Sequence, residues 1–194
     1  MLSSLPPSDI STRLIIKQHS VMQARHITTT HKDERPDPQD ISVLVIHNIS
    51  LPPNQFDNSY IEDFFVGKLN PTAHPFFKEI HQIRVSAHCV IKRDGEVIQF
   101  VPFNERAWHA GVSSFQGRGR CNDYSIGIEL EGTDDSDYTT KQYDALEQLA
   151  QAIMLAYPKI TLGRIVGHND IAPGRKTDPG SSFNWQRLRQ GLCF

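Results

Sequence analysis

Apolar and polar positions alternate with a period of two in two stretches of the chain. Each stretch carries a chemically useful residue on one face. In Ser42–Asn48 a Val-Leu-Val-Ile run bounded by polar residues predicts a buried strand. Alternation places Val43, Val45 and His47 on one side and Leu44 and Ile46 on the other. A second strand is predicted at Ser125–Glu131, with Ile126, Ile128 and Leu130 on one face and Gly127, Glu129 and Glu131 on the other. The period changes in Thr139–Tyr157. There Tyr143, Leu146, Ala150, Ile153 and Tyr157 recur at three- and four-residue steps, as a helix requires, and Thr139 with Gln142 fits a capping box.

Weaker patterns fill the rest. Ser86–Lys92 and Glu96–Pro102 flank Asp94-Gly95, a strong hairpin signal. Short helices are expected over residues 58–68, with Tyr60, Phe64 and Phe65 as the apolar stripe, and over His74–Ile80. Ala107–Gly111 and Gln116–Arg120 read as parts of a long loop. A short strand is expected at Arg164–Gly167, and a last helix starting near Asn184 carries Trp185 and Leu188. Residues 1–40, rich in Ser, Pro, Thr, Asp and Lys, read as an extended, partly ordered arm with a short strand at Arg13–Gln18. The expected fold is α/β (α+β): a single domain over residues 41–194 with a central mixed β-sheet flanked by helices.

Composition narrows the function classes. A chain of 194 residues with 38% hydrophobic content suits one globular domain. A formal charge of -2 gives no reason to expect nucleic acid or a membrane surface as partner. Cys89, Cys121 and Cys193 are odd in number and widely spaced, which favours a reducing compartment over a disulfide framework. The first residues lack the basic region and long apolar run of a leader, so the expectation is a cytoplasmic protein.

Candidate chemistry concentrates in Gly167–Gly180, where three glycines and two prolines accompany His168, Asp170, Arg175, Lys176 and Asp178. Loops whose path is fixed by Pro and Gly hold polar groups at set positions. Catalytic zinc takes three protein ligands and keeps a fourth position for water. His47, His168 and Asp178 would supply such an N, N, O set. A carboxylate on the polar face of the second strand can act as a general base, and spacing alone leaves Glu129 and Glu131 both open. Lys176 can place positive charge near an oxyanion.

Seven segments together carry a family resemblance: Ser42–Pro53, Ala73–Phe77, Val85–Cys89, Arg106–Gly111, Arg120–Asp123, Ser125–Thr133 and Gly167–Gly180. Over roughly Ser42 to Leu192 the chain resembles the zinc-dependent N-acetylmuramoyl-L-alanine amidases, in particular the cytoplasmic AmpD type, whose wider fold is shared by peptidoglycan recognition proteins and phage amidases. The resemblance implies a single zinc ion per chain held by His47, His168 and Asp178. It selects Glu129 as the catalytic carboxylate and Lys176 as the residue that assists the tetrahedral intermediate. It also implies a muropeptide substrate, a 1,6-anhydro-N-acetylmuramoyl peptide cleaved in recycling of wall fragments. A monomer is expected.

Arginines beside the motifs are candidates for the carboxylates of the peptide stem: Arg84, Arg120 and Arg175. Asn48 is a candidate partner for the amide or sugar. Trp108 and His109 read as cleft wall, His88 as a buried hydrogen-bonded group, Cys89 and Cys121 as small buried fillers, and Asp170 as a loop-structuring residue. Three other readings compete: a secreted or periplasmic amidase acting on intact peptidoglycan, a recognition module without catalysis, and a zinc peptidase.

Overall fold

The structure, a computed structural model, describes residues 13–193. The chain enters through four short strands, β1 (Ile16–Lys17), β2 (Ser20–Val21), β3 (Arg25–His26) and β4 (Lys32–Glu34). Two long strands follow the alternating patterns, β5 (Val43–Ile49) and β11 (Ser125–Glu131). Between them lie α1 (Tyr60–Phe65), α2 (Phe77–Ile80), the hairpin β6 (Cys89–Ile91) and β7 (Val97–Gln99), β8 (Glu105–Ala107), and the small ribbon β9 (Ser114–Phe115) and β10 (Arg118–Gly119). After β11 come α3 (Thr140–Ala156), β12 (Ile165–Gly167), α4 (His168–Ile171) and α5 (Trp185–Gly191). The expected elements are present, most of them shorter at their ends. The stretch read as a long loop holds β9 and β10, and His168 stands on a one-turn helix instead of a loop.

The central sheet has six strands in the order β12-β5-β11-β6-β7-β3. β12, β5, β11 and β6 run parallel, β7 is antiparallel to β6, and β3 is parallel to β7, so the sheet is mixed. One face is continuously apolar. Leu44, Ile46, Cys89, Ile91, Ile126, Ile128 and Leu130 pack on Leu146, Leu149, Ala150 and Ile153 of α3 and on Leu188 of α5. Each Leu or Ile side chain among them, fully enclosed, contributes about 1.5–3 kcal/mol through loss of apolar surface from water. Thr139 caps α3 as its sequence predicts, with its side chain accepting from the Gln142 N–H and Gln142 reaching back to the Thr139 N–H.

The opposite face is divided. At one end Val90 and Ile98 pack under α1 and α2 with Ile61, Phe64, Phe65 and Phe77. At the other, Val43 and Val45 pack on Ala110, Cys121, Tyr124 and Ile171. Between them runs β11, which presents Ser125, Gly127, Glu129 and Glu131 to this face, all buried. A polar band therefore crosses the interior. Glu131 is closed off by Lys92 Nζ at 2.8 Å and by the N–H groups of Asp57 and Arg93, at 3.2 Å each. It ties the loop after β5 to the β6–β7 hairpin.

The N-terminal segment is built into this interior. β3 extends the central sheet and β4 pairs with β8, where Lys32 and Glu105 form an ion pair. Arg35 is buried and donates to four main-chain carbonyls, those of Phe103, Asn122, Asp123 and Ser125, at 2.8–3.2 Å. Burial lowers its pKa to about 10, which leaves it charged near neutral pH.

Arg35→Ala is expected to destabilise the chain by at least about 3 kcal/mol, because several buried carbonyls lose a charged donor together. Arg25→Ala removes only exposed ion pairs to Glu62 and Glu96 and is expected to cost less than about 1 kcal/mol. Urea unfolding of both variants checks this, and equal losses would contradict the role given to Arg35.

Candidate active site and metal centre

Parallel pairing of β5 with β11 aligns His47 with Glu129 in register, so both side chains emerge on the polar face. β12 pairs on the other side of β5 and delivers His168 at its end. Asp170 Oδ2 accepts from the Gly167 N–H at 2.7 Å and shapes the entry to α4. The following loop returns: the Asn169 N–H donates to the Asp178 carbonyl at 3.0 Å, which sets Asp178 beside His168. Gly180 closes the loop at φ +84°, where an added Cβ would lie 2.1 Å from the Asp134 Cα.

These contacts bring three sequence-predicted residues to one point. His47 Nδ1, His168 Nδ1 and Asp178 Oδ2 form a triangle with every edge 3.0 Å. Proton placement around them follows from the heavy atoms. His168 Nε2 lies 3.1 Å from the Ala110 carbonyl, which can only accept, so Nε2 carries the proton and Nδ1 a lone pair. The Ser125 hydroxyl donates to the Cys121 carbonyl at 2.6 Å, so its oxygen accepts from His109 Nε2 at 3.2 Å. His109 Nδ1 then accepts from His47 Nε2 at 2.9 Å, and His47 Nδ1 also carries a lone pair. Two imidazole lone pairs and a carboxylate oxygen thus face one another, an arrangement that repels unless a cation lies among them. Tetrahedral zinc at roughly 2.0–2.2 Å from its ligands separates neighbouring donors by roughly 3.3–3.6 Å, so the triangle needs to open by only a few tenths of an ångström. The donor set fits zinc.

The electrostatics agree with ligands in their metal-binding protonation states. Burial holds the His47 pKa down, to about 4, against the opposing pull of Asp178. Asp178 is held well below the usual carboxylate range: burial raises its pKa, but hydrogen bonds to His168 and His47 outweigh that. Glu129 behaves oppositely. Burial first, then the charge of Asp178, raises its pKa well above the ordinary value, with Lys176 opposing. Its Oε2 is buried without a hydrogen-bond partner among the described residues.

All five residues line a cleft of about 740 Å³, the size of a small-molecule site. Asn54, Phe64, Phe65, Ile83 and Trp108 also line it, as do Thr133, Asp134 and Asp135. Asn48 lines it too, with its amide donating to Asp134 Oδ1 at 2.8 Å. The arginines separate. Arg175 borders the cleft but donates to the carbonyls of Ala110 and Val112, at 2.7 Å each from Nη2. Arg84 and Arg120 are not among the lining residues, and Arg120 is exposed in an ion pair with Asp123. Trp108 lies in the wall as read from sequence. His109 does more, since its ring touches His47. Asn122 and Asp134 escaped the sequence reading. Asn122 lies inside a quoted motif, but nothing in its neighbours marks it as buried.

In the metal-free protein His47, His88 and His109 are buried, and burial lowers the pKa of each. The unfolded chain protonates these groups near pH 6.5 and the folded chain only below it, at about 4 for His47. Stability should therefore fall as pH drops from about 6.5 towards 4, by on the order of 1 kcal/mol per pH unit for each histidine. Glu129 acts in the opposite sense: its stabilisation is present at low pH and lost as pH rises through its raised pKa. Among the fully buried groups Glu129 alone opposes the three histidines, so urea midpoints of chelator-treated protein are expected to be lower at about pH 5 than at about pH 7. An unchanged midpoint would show that the histidine interior tolerates charge.

Comparison with known proteins places this chain in a family. The family model described as N-acetylmuramoyl-L-alanine amidase matches residues 35–181 and so includes Arg35. The chain is 58% identical over 172 residues to the 1,6-anhydro-N-acetylmuramyl-L-alanine amidase AmpD of Haemophilus influenzae, covering 89% of this chain and 94% of the relative. A crystal structure of a selenomethionine AmpD derivative superposes with a TM-score of 0.90 at 52% identity, covering 93% of this chain and all of that one. AmpDh3 from Pseudomonas aeruginosa in complex with anhydromuramic pentapeptide superposes with a TM-score of 0.63 at 30% identity, covering 80% of this chain and 61% of that one. With a family match over most of the chain and relatives at this identity, coverage and structural similarity, the chain belongs to the N-acetylmuramoyl-L-alanine amidases, in their AmpD-type branch.

Proposed function

We propose that this chain is a zinc hydrolase that cleaves the amide between 1,6-anhydro-N-acetylmuramic acid and the L-alanine of muropeptides. The observation that carries the reading is the convergence of three lone pairs, on His47, His168 and Asp178, beside a buried carboxylate with a free oxygen. The names of the relatives support the substrate class, and the complex of AmpDh3 with an anhydromuramic pentapeptide supports muropeptide binding. The AmpD-type motifs support a place in cytoplasmic recycling of wall fragments. The one three-residue group among the described residues supports a single zinc per chain.

When bound by these three residues, zinc would supply Lewis acidity and lower the pKa of water in the open position. The chain's own groups do the rest. Glu129, enclosed and with a raised proton affinity, takes the proton of the attacking water and returns it to the departing alanine nitrogen. Lys176 brings positive charge to the oxyanion side of the cleft. Asn48, held by Asp134, presents a fixed polar edge to the sugar or amide. Arg175 and Lys176 are the Lys or Arg residues of the lining, and we assign them the nearest carboxylate of the peptide stem; Arg84 and Arg120 lie outside it.

Incubation with anhydro-muropeptide and with intact sacculi, each with and without chelator, followed by mass analysis, tests the reading. Chelator-sensitive release of the peptide from anhydro-muropeptide is expected. Preferential release from sacculi would favour a wall-lytic amidase, and cleavage inside the peptide stem a peptidase. Glu129→Ala is expected to keep stoichiometric zinc and lose activity by roughly 100-fold or more. Near-normal turnover would remove Glu129 from the base role. Asp178→Ala is expected to lose zinc by elemental analysis, and retained stoichiometric zinc would remove Asp178 from the ligand set.

A further inference from the structure

Asn122, in the 3-10 turn Cys121–Asp123, is buried and makes no hydrogen bond to His47, His168 or Asp178. Its Oδ1 accepts from two successive main-chain donors, His109 N–H at 3.1 Å and Ala110 N–H at 2.8 Å. Those two N–H groups flank the His109 Cα, so one oxygen constrains both backbone torsions of His109 and with them the direction of its ring. His109 Nδ1 is the acceptor for His47 Nε2, and the carbonyl of the next residue, Ala110, is the acceptor for His168 Nε2. The turn itself is anchored, because Arg35 Nη1 holds the carbonyls of Asn122 and Asp123 at 3.2 Å each. On its other side the His109 ring lies against Gly127, where an added Cβ would fall 2.5 Å from the ring.

We propose that Asn122 is a positioning residue for both histidines of the metal centre, its single oxygen placing the two acceptors that keep His47 and His168 as Nε2–H tautomers. The inference rests on His47 and His168 being ligands through Nδ1. Outer partners of this kind fix the ring orientation and tautomer of a ligating histidine, and their loss typically lowers metal affinity by about 10–100-fold. Without the Asn122 oxygen two buried N–H groups lose their acceptor, and the His109–Ala110 segment must turn to satisfy them. One substitution then disturbs two ligands that lie on different strands.

The test uses metal-free full-length protein. Long-range 1H–15N correlation spectra read the imidazole tautomers, and competition with a chelator of known affinity reads zinc binding. Wild type is expected to show Nε2–H at both His47 and His168. Asn122→Leu is expected to show mixed tautomers at both and zinc affinity lower by about 10–100-fold. Asn122→Asp, which keeps an oxygen at the same place, is expected to restore the wild-type spectrum and an affinity within about threefold of wild type. Gly127→Ala pushes on the His109 ring alone and is expected to disturb His47 while leaving His168 as it was, which keeps the test alive should the leucine variant not fold. Wild-type tautomers in folded Asn122→Leu with unchanged zinc affinity would overturn the proposal, as would equal losses in the leucine and aspartate variants. Failure of wild type to bind zinc would instead sink the ligand assignment beneath it, whereas the tautomer spectrum reads the positioning role without metal.

Discussion

The parallel pairing of β5 with β11 is the constraint on which the rest depends. Seven residue pairs set His47 opposite Glu129 and, on the same two strands, bury Leu44, Ile46, Ile126 and Ile128 under α3. Because side chains alternate, the register that buries the apolar set also places the polar one. A one-residue slip of either strand would send its His47 or Glu129 into the α3 core and bring its Leu or Ile side chains to the cleft. The fold is thus held in register by about a dozen apolar side chains that take no part in the chemistry.

On the other face a polar band crosses an interior that elsewhere excludes water. Buried histidines, an arginine and two glutamates are costly there unless each finds a partner. Arg35 is met by carbonyls, Glu131 by Lys92 and main-chain N–H groups, His88 by the Gly127 N–H and the Glu105 carbonyl. Left unbalanced among the groups aimed at the cleft are the three converging lone pairs and Oε2 of Glu129. Most buried polar groups around the proposed metal centre find partners, and those within it are left open, which is how a structure holds a site ready at the expense of its own stability.

Much of this was legible along the chain. Period-two alternation marked β5 and β11 and the faces of His47 and Glu129, because a strand's geometry depends only on neighbours in sequence. The capping box of α3 and the Asp94-Gly95 hairpin were equally local. The apparent tie between Glu129 and Glu131 had no local answer. Both alternate correctly, and what separates them is Lys92, which encloses Glu131 from a different hairpin. Arg35 gave no signal within a polar N-terminal stretch, since its partners lie roughly seventy to ninety residues away. Arg84 and Arg120 stood beside motifs in sequence and outside the cleft in space.

Sequence order alone settled the fold class, the two strands that carry His47 and Glu129, and the residue types available for zinc, since these follow from periodicity and chemical identity. Tertiary structure decided which carboxylate faces the cleft, which arginines reach it, and which nitrogen of each histidine is free to bind. The last depends on hydrogen bonds from Ala110 and from the Ser125–His109 chain, whose members meet His47 and His168 only when separate strands pack together. A tautomer is set by a partner's position in space, and no spacing along the chain encodes it.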